Sequence, residues 1–282
     1  MNIKINTRTE KDLLGNKEIP DNFYYGIQTF RAVENFNLSN NKLNQFPIFI
    51  NALAMVKSAC AQANFKLNHL DENKNNAIQY ACQQILDYKY HDQFPIDMIQ
   101  GGAGTSTNMN INEVLANIGL EHLGYAKGDY QYLHPNNDVN MSQSTNDVYP
   151  TAIKIGLITA IDQLNTPFEN LIQSFKRKSE EFSNILKMGR TQLQDAVPMT
   201  LGQEFGAFAT TLQNDLNKLN QIMPDALSVV NLGGTAIGTG INTEVKYREL
   251  AIASLSEIMQ RNISSAPDLI EATSDMGDFV LL

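Results

Sequence analysis

The sequence predicts a mostly α-helical protein in which a small N-terminal domain precedes a domain built from long helices. In two long stretches, 150–186 and 198–227, apolar residues recur at alternating steps of three and four, the spacing of a helix packed in a bundle. Loops rich in Gly, Ser, Thr and Asn separate the helical patterns and are typical of helix starts. We therefore expect an N-terminal domain at residues 1–143 and a helical-bundle domain at residues 144–282.

Composition and charge argue against several classes of partner and location. With 282 residues, of which 43% are hydrophobic, the chain can bury a substantial core. Its formal net charge of -9 argues against nucleic acid and anionic membranes as partners, because no basic patch offsets the acidic surface. Residues 1–10 are polar and no window could span a bilayer, so neither a secretory signal nor a membrane anchor is expected. Cys60 and Cys82 lie in apolar helical patterns and are expected to be buried thiols of a cytoplasmic protein.

In the N-terminal half, the sequence predicts three helices. They follow residues 1–50, which show turn signals and no single secondary-structure pattern. Residues 53–89 follow a helical period with one break at residues 69–71, which predicts two amphipathic helices. A third helix is predicted after the glycine-rich loop of residues 101–110, and it ends at Gly124.

The C-terminal half predicts two long helices and two shorter ones. The first long helix follows Pro150, and Pro167 is expected to kink it or to restart it after the preceding residue. The second is expected to begin at Pro198, because proline suits the first helical turn. The shorter helices are predicted at residues 245–259 and 268–282.

Three polar loops precede predicted helices and are the candidate functional sites: residues 101–110, 134–147 and 189–205. Each offers hydroxyl groups, amides and free backbone N–H groups at the positive end of a helix dipole, and such sites bind carboxylates without a metal. Taken singly, each of the first two is more simply explained as a helix cap, since Ser, Thr, Asn and Asp are the preferred caps.

Other kinds of site are poorly supported. The four histidines lack the spacing of metal ligands, and no Gly-x-Ser-x-Gly elbow occurs. The glycine-rich loop at residues 233–240 follows no predicted strand and lacks the Gly-Lys-Ser/Thr ending of a phosphate loop. Neutral hydroxyls and amides suit the stabilisation of an aci-carboxylate, the doubly charged species formed when a proton is removed next to a carboxylate. Each such donor typically stabilises the developing charge by roughly 3 to 4 kcal/mol. Several loops must therefore supply donors to the same site.

Residues 101–110, 142–151 and 189–205 resemble the first polar regions of the aspartase/fumarase superfamily. Residues 189–205 and 268–275 are most similar to its aspartase branch, and the resemblance extends from about Glu10 to the last residue. It implies the long-helix fold of that superfamily, of which residues 144–282 would form an incomplete bundle domain. It also implies a homotetramer with active sites shared between subunits, and a small dicarboxylate substrate. The implied reaction is the reversible deamination of L-aspartate to fumarate and ammonia through an aci-carboxylate. No organic cofactor is implied; family members are often activated by Mg²⁺, but the sequence reveals no metal site.

The resemblance implies roles for individual residues. The substrate-binding set is Thr105, Ser144, Thr145, Asn146, Thr191 and Gln192. Within it, the catalytic residues are Ser144, Thr145, Asn146 and Gln192. The first loop would contact a substrate carboxylate and the second would stabilise the aci-carboxylate. Gln192 stands where fumarases and some aspartases have histidine; because an amide does not titrate near neutrality, it would orient the substrate, which favours aspartase over fumarate hydratase.

The segment with His134, Asn136 and Asn137 is similar to a secondary dicarboxylate site of fumarases. The alternative is a helix-entry turn in which the histidine is satisfied by local hydrogen bonds. Both interpretations stay open at the level of the sequence.

One departure from the family pattern concerns the catalytic base. In the family the base is a serine in a Gly-Ser-Ser-x-Met-Pro-x-Lys-x-Asn loop, and no such string occurs here; Ser264 and Ser265 are the nearest pair. We therefore expect an N-terminal portion that lacks the base by itself. The alternatives are a fumarate hydratase or another lyase acting on a succinyl group, and an inactive fragment that only binds or oligomerises.

Overall fold

The structure is a computed structural model that describes residues 6–222 and 226–282, so part of the polar stretch at residues 1–10 lies outside it. The prediction of a mostly helical chain is confirmed, with short strands in addition. The chain forms two compact units, one of Met1–Gly156 and Ser228–Gly277 and the other of Leu157–Leu227 and Asp278–Leu282. The division after residue 143 stays a prediction.

The first unit opens with an antiparallel hairpin that the sequence did not reveal. Its strands are β1 (Thr7–Asp12) and β2 (Gly15–Pro20), and helix α1 (Ile27–Asn35) follows. Glu113 lies far along the chain yet caps this helix: its buried carboxylate accepts the backbone N–H groups of Gly26, at 2.9 Å, and of Thr29, at 3.0 Å. The start of α1 is thus fixed by a tertiary contact, because it lacks a local cap.

Two helices form the core of the first unit where the sequence predicts them. They are α2 (Pro47–Lys66) and α3 (Glu72–Leu86). The predicted break between them is confirmed, and Asp71 caps the second helix by accepting the backbone N–H of Lys74 at 2.9 Å. Both cysteines are buried free thiols, as predicted.

Helices α4 (Thr105–His122) and α5 (Thr145–Glu181) each follow a predicted polar loop. A short π-turn, Pro135–Val139, lies between them. Helix α5 contains 37 residues and runs through both Pro150 and Pro167, so the expected restart at Pro167 is wrong. A proline removes a single N–H donor from the ladder, and the rest of this long helix retains its own hydrogen bonds.

The second unit contains the later part of α5, a hairpin and helix α6 (Leu201–Ile222). The hairpin strands are β3 (Leu186–Thr191) and β4 (Gln194–Thr200). The predicted helix start at Pro198 is wrong, because Pro198 lies in β4 and pairs with Met188. Apolar residues of the two long helical patterns meet in an aromatic cluster, in which the rings of Phe182 and Phe205 have centroids 5.2 Å apart.

A capping box starts α6 and explains why the helix begins after Thr200. The Thr200 hydroxyl accepts the backbone N–H of Gln203 at 3.1 Å, and the Gln203 side chain accepts the backbone N–H of Thr200 at 2.9 Å. We expect Thr200→Ala to lower the free energy of unfolding in urea by about 0.5–2 kcal/mol. Thr210→Ala is the control, because that hydroxyl bonds a carbonyl within the same helix and its loss should cost nothing. Equal effects of the two changes would contradict the capping role.

The chain then returns to the first unit through short elements. They are β5 (Val229–Val230), α7 (Tyr247–Met259), β6 (Ser264–Ser265) and α8 (Leu269–Ser274). The last helix, α9 (Gly277–Leu281), belongs almost entirely to the second unit. The single helix predicted at residues 268–282 is wrong, since two short helices occupy it. None of the described helices combines the length and the apolar composition that crossing a bilayer requires.

Candidate functional site

A cleft of about 750 Å³ opens in the first unit beside the start of α5. Residues 136–137 and 140–144 line one side, and residues 235–237, 239, 241 and 242 line the other. The second side belongs largely to the glycine loop, defined as residues 233–240. No lining residue is an aspartate, glutamate, lysine or arginine, so the described walls are neutral and rich in hydrogen-bonding groups.

The catalytic turn predicted at Ser144, Thr145 and Asn146 is half-buried at the N-terminus of α5. The Ser144 hydroxyl accepts the backbone N–H of Asn146 at 3.2 Å, so its own proton can be donated into the cleft that Ser144 lines. Thr145 accepts the Asn108 side chain at 3.2 Å, which likewise leaves its O–H available as a donor. The turn therefore combines hydroxyl donors with the positive end of a helix dipole.

Thr105 is brought to the same region, because the first turns of α4 and α5 lie side by side. Asn108, one turn along α4, donates to Thr145. Gly104 has φ +88° and packs against the ring of Tyr149, where a Cβ would lie 2.5 Å from a ring carbon. Only glycine allows both this backbone conformation and this approach. Thr105 itself is exposed as the first residue of α4.

Asp147 joins the catalytic turn to the glycine loop. Its carboxylate is fully buried and accepts the backbone N–H groups of Ser144 at 2.9 Å, Gly233 at 3.1 Å and Thr235 at 3.0 Å. Burial raises the pKa of the Asp147 carboxyl to about 6, although these donors and the charge of Lys57 act in the opposite direction. The carboxylate is thus held ionised at neutral pH by backbone groups from both sides of the cleft.

A second connection follows from Pro150. Proline has no N–H to donate to the carbonyl of Asn146, four residues earlier, and the side chain of Asn231 donates to that carbonyl instead at 3.0 Å. The side chain of Asn146 donates in turn to the carbonyl of Ala236 at 2.7 Å. Because of the proline, the carbonyl of Asn146 is available to accept a hydrogen bond from Asn231, which lies just before the glycine loop.

Lys57 lies beneath the turn, on the buried face of α2. Its ammonium donates to the side-chain oxygens of Asn140 and Gln143, both at 2.8 Å. Burial lowers the pKa of Lys57 to about 8. Asn140 also accepts the Asn108 side chain at 3.1 Å, which connects the ammonium to the hydrogen bonds around Thr145.

His134 caps the π-turn: its Nδ1 accepts the backbone N–H groups of Asn136 at 3.0 Å and Asn137 at 3.2 Å. Burial lowers the pKa of this imidazole, which favours the neutral ring that such a cap requires. Asn136 and Asn137 are exposed and line the same cleft as Ser144. The secondary dicarboxylate site at these three residues stays a prediction.

Thr191 and Gln192 lie in the second unit and not at the start of a helix. The two strands of its hairpin meet in a two-residue turn, where Gln192 has φ 49° and Leu193 has φ 63°. Both side chains of the predicted pair are exposed at this tip. A positive φ at both central residues is the ordinary geometry of a two-residue hairpin turn. The expectation that all three polar loops begin helices is wrong for the third.

Sequence reasoning assigned no role to the residues that support the turn, although three of them lie within the candidate loops at residues 101–110 and 134–147. They are Lys57, Asn108, Asn140, Asp147 and Asn231. Lys57 gave one signal, since it is a charged residue within an otherwise apolar helical stretch. The others are polar residues whose partners lie far away in the sequence, and no local pattern identifies such pairs.

The buried Glu113 carboxylate predicts a pH-dependent stability. Burial raises its pKa from 4.5 to about 7. Between these values the folded protein binds more protons than the unfolded chain, so stability should fall as pH rises, by up to about 1.4 kcal/mol per pH unit. Glu113→Gln removes this titration, so urea unfolding from pH 4.5 to 7 should show the variant gaining relative to the unaltered protein as pH rises. A constant difference across this window would contradict the assignment.

Comparisons with known proteins agree in sequence and in structure. The sequence profile of the lyase family matches residues 15–282. Aspartate ammonia-lyase of Pseudomonas aeruginosa is 60% identical over 275 residues, which cover 98% of this chain and 58% of that protein. Aspartate ammonia-lyase of Escherichia coli is 52% identical over 278 residues, with the same two coverages, 98% and 58%. The chain thus spans somewhat more than half the length of these relatives.

Solved structures give the same result. Fumarate lyase:delta crystallin from Brucella melitensis, bound to cobalt, superposes with a TM-score of 0.93 at 54% identity, covering 98% of this chain and 60% of that one. Class II fumarase from Schistosoma mansoni superposes with a TM-score of 0.86 at 31% identity, covering 98% and 61%. Since the family profile covers nearly all residues and the fold matches as well, this chain belongs to the lyase family.

Proposed function

We propose that the full-length protein is a carbon–nitrogen lyase that converts L-aspartate reversibly to fumarate and ammonia. The observation that supports this proposal most is the Ser144–Asn146 turn, which presents hydroxyl groups at a helix N-terminus and whose Ser144 lines a cleft without charged walls. The sequence similarity to aspartate ammonia-lyases, at 52–60% identity, supports the same choice.

The reaction begins with removal of a proton from Cβ of aspartate. The C–H electron pair moves into the adjacent carboxylate and forms the aci-carboxylate; its return forms the double bond of fumarate as the C–N bond breaks. The nitrogen leaves with the C–N electron pair as ammonia. Hydroxyl donors at Ser144 and Thr145 and the amide of Asn146 would stabilise the second negative charge, and preorganised donors of this kind are among the largest contributions to catalysis.

The other predicted residues complete the binding site in this proposal. Thr105 would bind a substrate carboxylate from the start of α4. Thr191 and Gln192 would contact the substrate from a neighbouring subunit, with Gln192 orienting it without transferring a proton. We assign no catalytic base among the described residues.

We also propose a homotetramer, because several large apolar side chains on α5 and α6 are exposed to solvent. Leu164, Leu171 and Phe208 are 43%, 45% and 45% exposed. Exposed large apolar side chains along long helices suit packing against other copies of the same helices. Light scattering of the purified full-length protein should give the mass of four chains, and a stable monomer would refute this part of the proposal.

We propose that the reaction needs no organic cofactor. Mg²⁺ activation is a separate expectation, and no group of three or more His, Cys, Asp or Glu residues that could hold a metal occurs in the described part of the chain. Turnover by extensively dialysed protein, with and without Mg²⁺ and a chelator, tests both points.

The competing activity is fumarate hydration, because the chain is also similar to a class II fumarase. Fumarate has a strong ultraviolet absorbance, so its formation by the full-length protein can be followed from L-aspartate and from malate under identical conditions. We expect fumarate and one equivalent of ammonia from aspartate alone. Fumarate from malate alone would refute the aspartate assignment in favour of a hydratase.

A further inference from the structure

Asn108 lies between the buried Lys57 ammonium and the catalytic turn, yet the proposed reaction gives it no role. We propose that Asn108 is a positioning residue: by donating its own N–H group to the Thr145 oxygen, it fixes the Thr145 hydroxyl as a hydrogen-bond donor to the substrate. This inference rests on the proposed function, because it assigns a direction to a hydroxyl that the proposed reaction uses.

The Thr145 hydroxyl has two possible roles toward a ligand. A threonine hydroxyl donates one hydrogen bond and can accept two, so its position alone does not determine which it offers. Stabilising an aci-carboxylate requires the donor, since the developing negative charge attracts only N–H and O–H groups. In the part of the chain that the structure describes, the Thr145 oxygen has one hydrogen-bond partner, the side-chain amide of Asn108 at 3.2 Å. The direction of this bond therefore decides whether the Thr145 proton is available to the substrate.

Lys57 fixes the direction of the bond between Asn108 and Thr145. An ammonium group only donates, and that of Lys57 donates to the side-chain oxygen of Asn140 at 2.8 Å. The same Asn140 oxygen lies 3.1 Å from Asn108, so the part of the Asn108 amide that faces it must be the N–H₂ group and not the carbonyl. That nitrogen carries two protons, one for Asn140 and one for Thr145. Asn108 therefore donates to Thr145, and the proton of Thr145 points elsewhere.

Asn108 keeps this orientation although its own oxygen is left unpaired. The residue is 3% exposed, and its side-chain oxygen accepts no hydrogen bond from the described chain. Buried polar atoms without a partner are unfavourable for stability and uncommon in native proteins. Proteins depart from such rules mainly at functional sites, so the unpaired oxygen suits a residue whose two N–H groups matter more than complete pairing.

Asn108→Asp in the full-length protein tests the direction of the bond. An ionised carboxylate has the shape of the amide but only accepts, so the Thr145 hydroxyl should turn its proton toward the carboxylate and away from the substrate. We expect kcat for aspartate deamination to fall by about 10²-fold, the usual effect of losing one preorganised donor, with a much smaller change in KM. An unchanged kcat would overturn the proposal.

A double-mutant cycle separates this effect from direct repulsion between the new carboxylate and the substrate. Thr145→Val removes the hydroxyl at nearly constant shape and should by itself lower kcat by about 10²-fold. If Asn108 acts through Thr145, adding Asn108→Asp to Thr145→Val should lower kcat no further. Losses that multiply would mean that the carboxylate acts on the substrate directly, and would refute the positioning role.

Asn110→Asp is the matched control. Asn110 is a fully buried amide on the same helix, and its side-chain oxygen also accepts no hydrogen bond from the described residues. Its N–H₂ group, however, donates to the backbone carbonyl of Gln93 at 3.0 Å and not to α5. This variant should unfold at lower urea concentration and retain its kcat. A loss of kcat as large as that of Asn108→Asp would show that any carboxylate buried in α4 impairs the enzyme, which would contradict the inference.

A neutron structure of the unaltered full-length protein decides the matter if the variants do not fold. The crystal should contain succinate, an unreactive dicarboxylate of the same length as the substrate. Deuterium positions show directly which atom donates between Asn108 and Thr145. We expect a deuteron on the Asn108 nitrogen directed at Thr145, and the Thr145 deuteron directed at a succinate carboxylate. A Thr145 deuteron directed at Asn108 would overturn the inference.

The outcomes separate the two levels of the proposal. Absence of aspartate turnover by the unaltered protein would refute the proposed function itself. Normal turnover that falls in Thr145→Val, together with an unchanged kcat in Asn108→Asp or with losses that multiply, would refute only the role of Asn108.

Discussion

Ser144→Ala should lower kcat for aspartate deamination by about 10²-fold or more, the usual effect of removing one preorganised donor from a developing oxyanion. The Ser144 hydroxyl accepts a backbone N–H and lines the cleft, so its own proton is available to the substrate. Steady-state kinetics of fumarate formation, at saturating aspartate, measures the loss directly. An unchanged kcat would remove Ser144 from the catalytic set.

Ser142→Ala is a closely matched control for Ser144→Ala. Ser142 is half-buried and lines the same cleft, but its hydroxyl is donated inward to the side chain of Asn64 at 2.8 Å. Its removal leaves that buried oxygen without its donor, so we expect a loss of stability of about 1–3 kcal/mol. The kcat of this variant should stay near that of the unaltered protein. The two serines should thus separate catalysis from stability.

Gly238→Ala should abolish most activity and cost several kcal/mol of stability. Its backbone has φ +90°, and a Cβ there would collide with the carbonyl oxygen of Leu269 and lie 2.5 Å from Ile270 Cα. Both obstacles are backbone atoms, which cannot rotate away as a side chain can. The glycine loop would have to move, and with it one wall of the cleft. Urea unfolding and the KM for aspartate measure the two effects.

Gly124→Ala separates backbone strain from collision. Gly124 has a similar φ of +85°, but a Cβ there would meet nothing within 4 Å. We expect this variant to lose only about 1–2 kcal/mol, the cost of an L-residue in the left-handed region, and to retain its kinetics. Similar losses at both glycines would mean that the close approach at Gly238 contributes little.

The helices were largely predictable because their signals are local. Apolar periodicity and a cap at Asp71 suffice for α2 and α3, whose boundaries depend on residues within a turn of each end. The β3–β4 hairpin was not predictable in the same way. Its turn residues, Gln192 and Leu193, lack the Asn-Gly or Asp-Gly pattern that usually marks two-residue turns. Pro198 then favoured a helix start, although the strand tolerates it.

The residues that donate hydrogen bonds at the candidate site could be predicted, but the hydrogen bonds that support them could not. Neutral donors at helix starts indicated Ser144 and Thr105, and the structure places these residues on adjacent helix ends. The supporting bonds join residues far apart in the chain: Lys57 to Asn140, and Asp147 to the glycine loop. Such pairs arise only when packed helices bring polar groups together out of water, so they follow from tertiary structure and not from spacing.

The most direct test of the account is a crystal structure of the full-length protein with bound succinate. We predict one carboxylate within hydrogen-bond distance of the Ser144 hydroxyl. Succinate bound elsewhere, with no contact to the Ser144–Asn146 turn, would contradict the central claim that this turn binds the substrate.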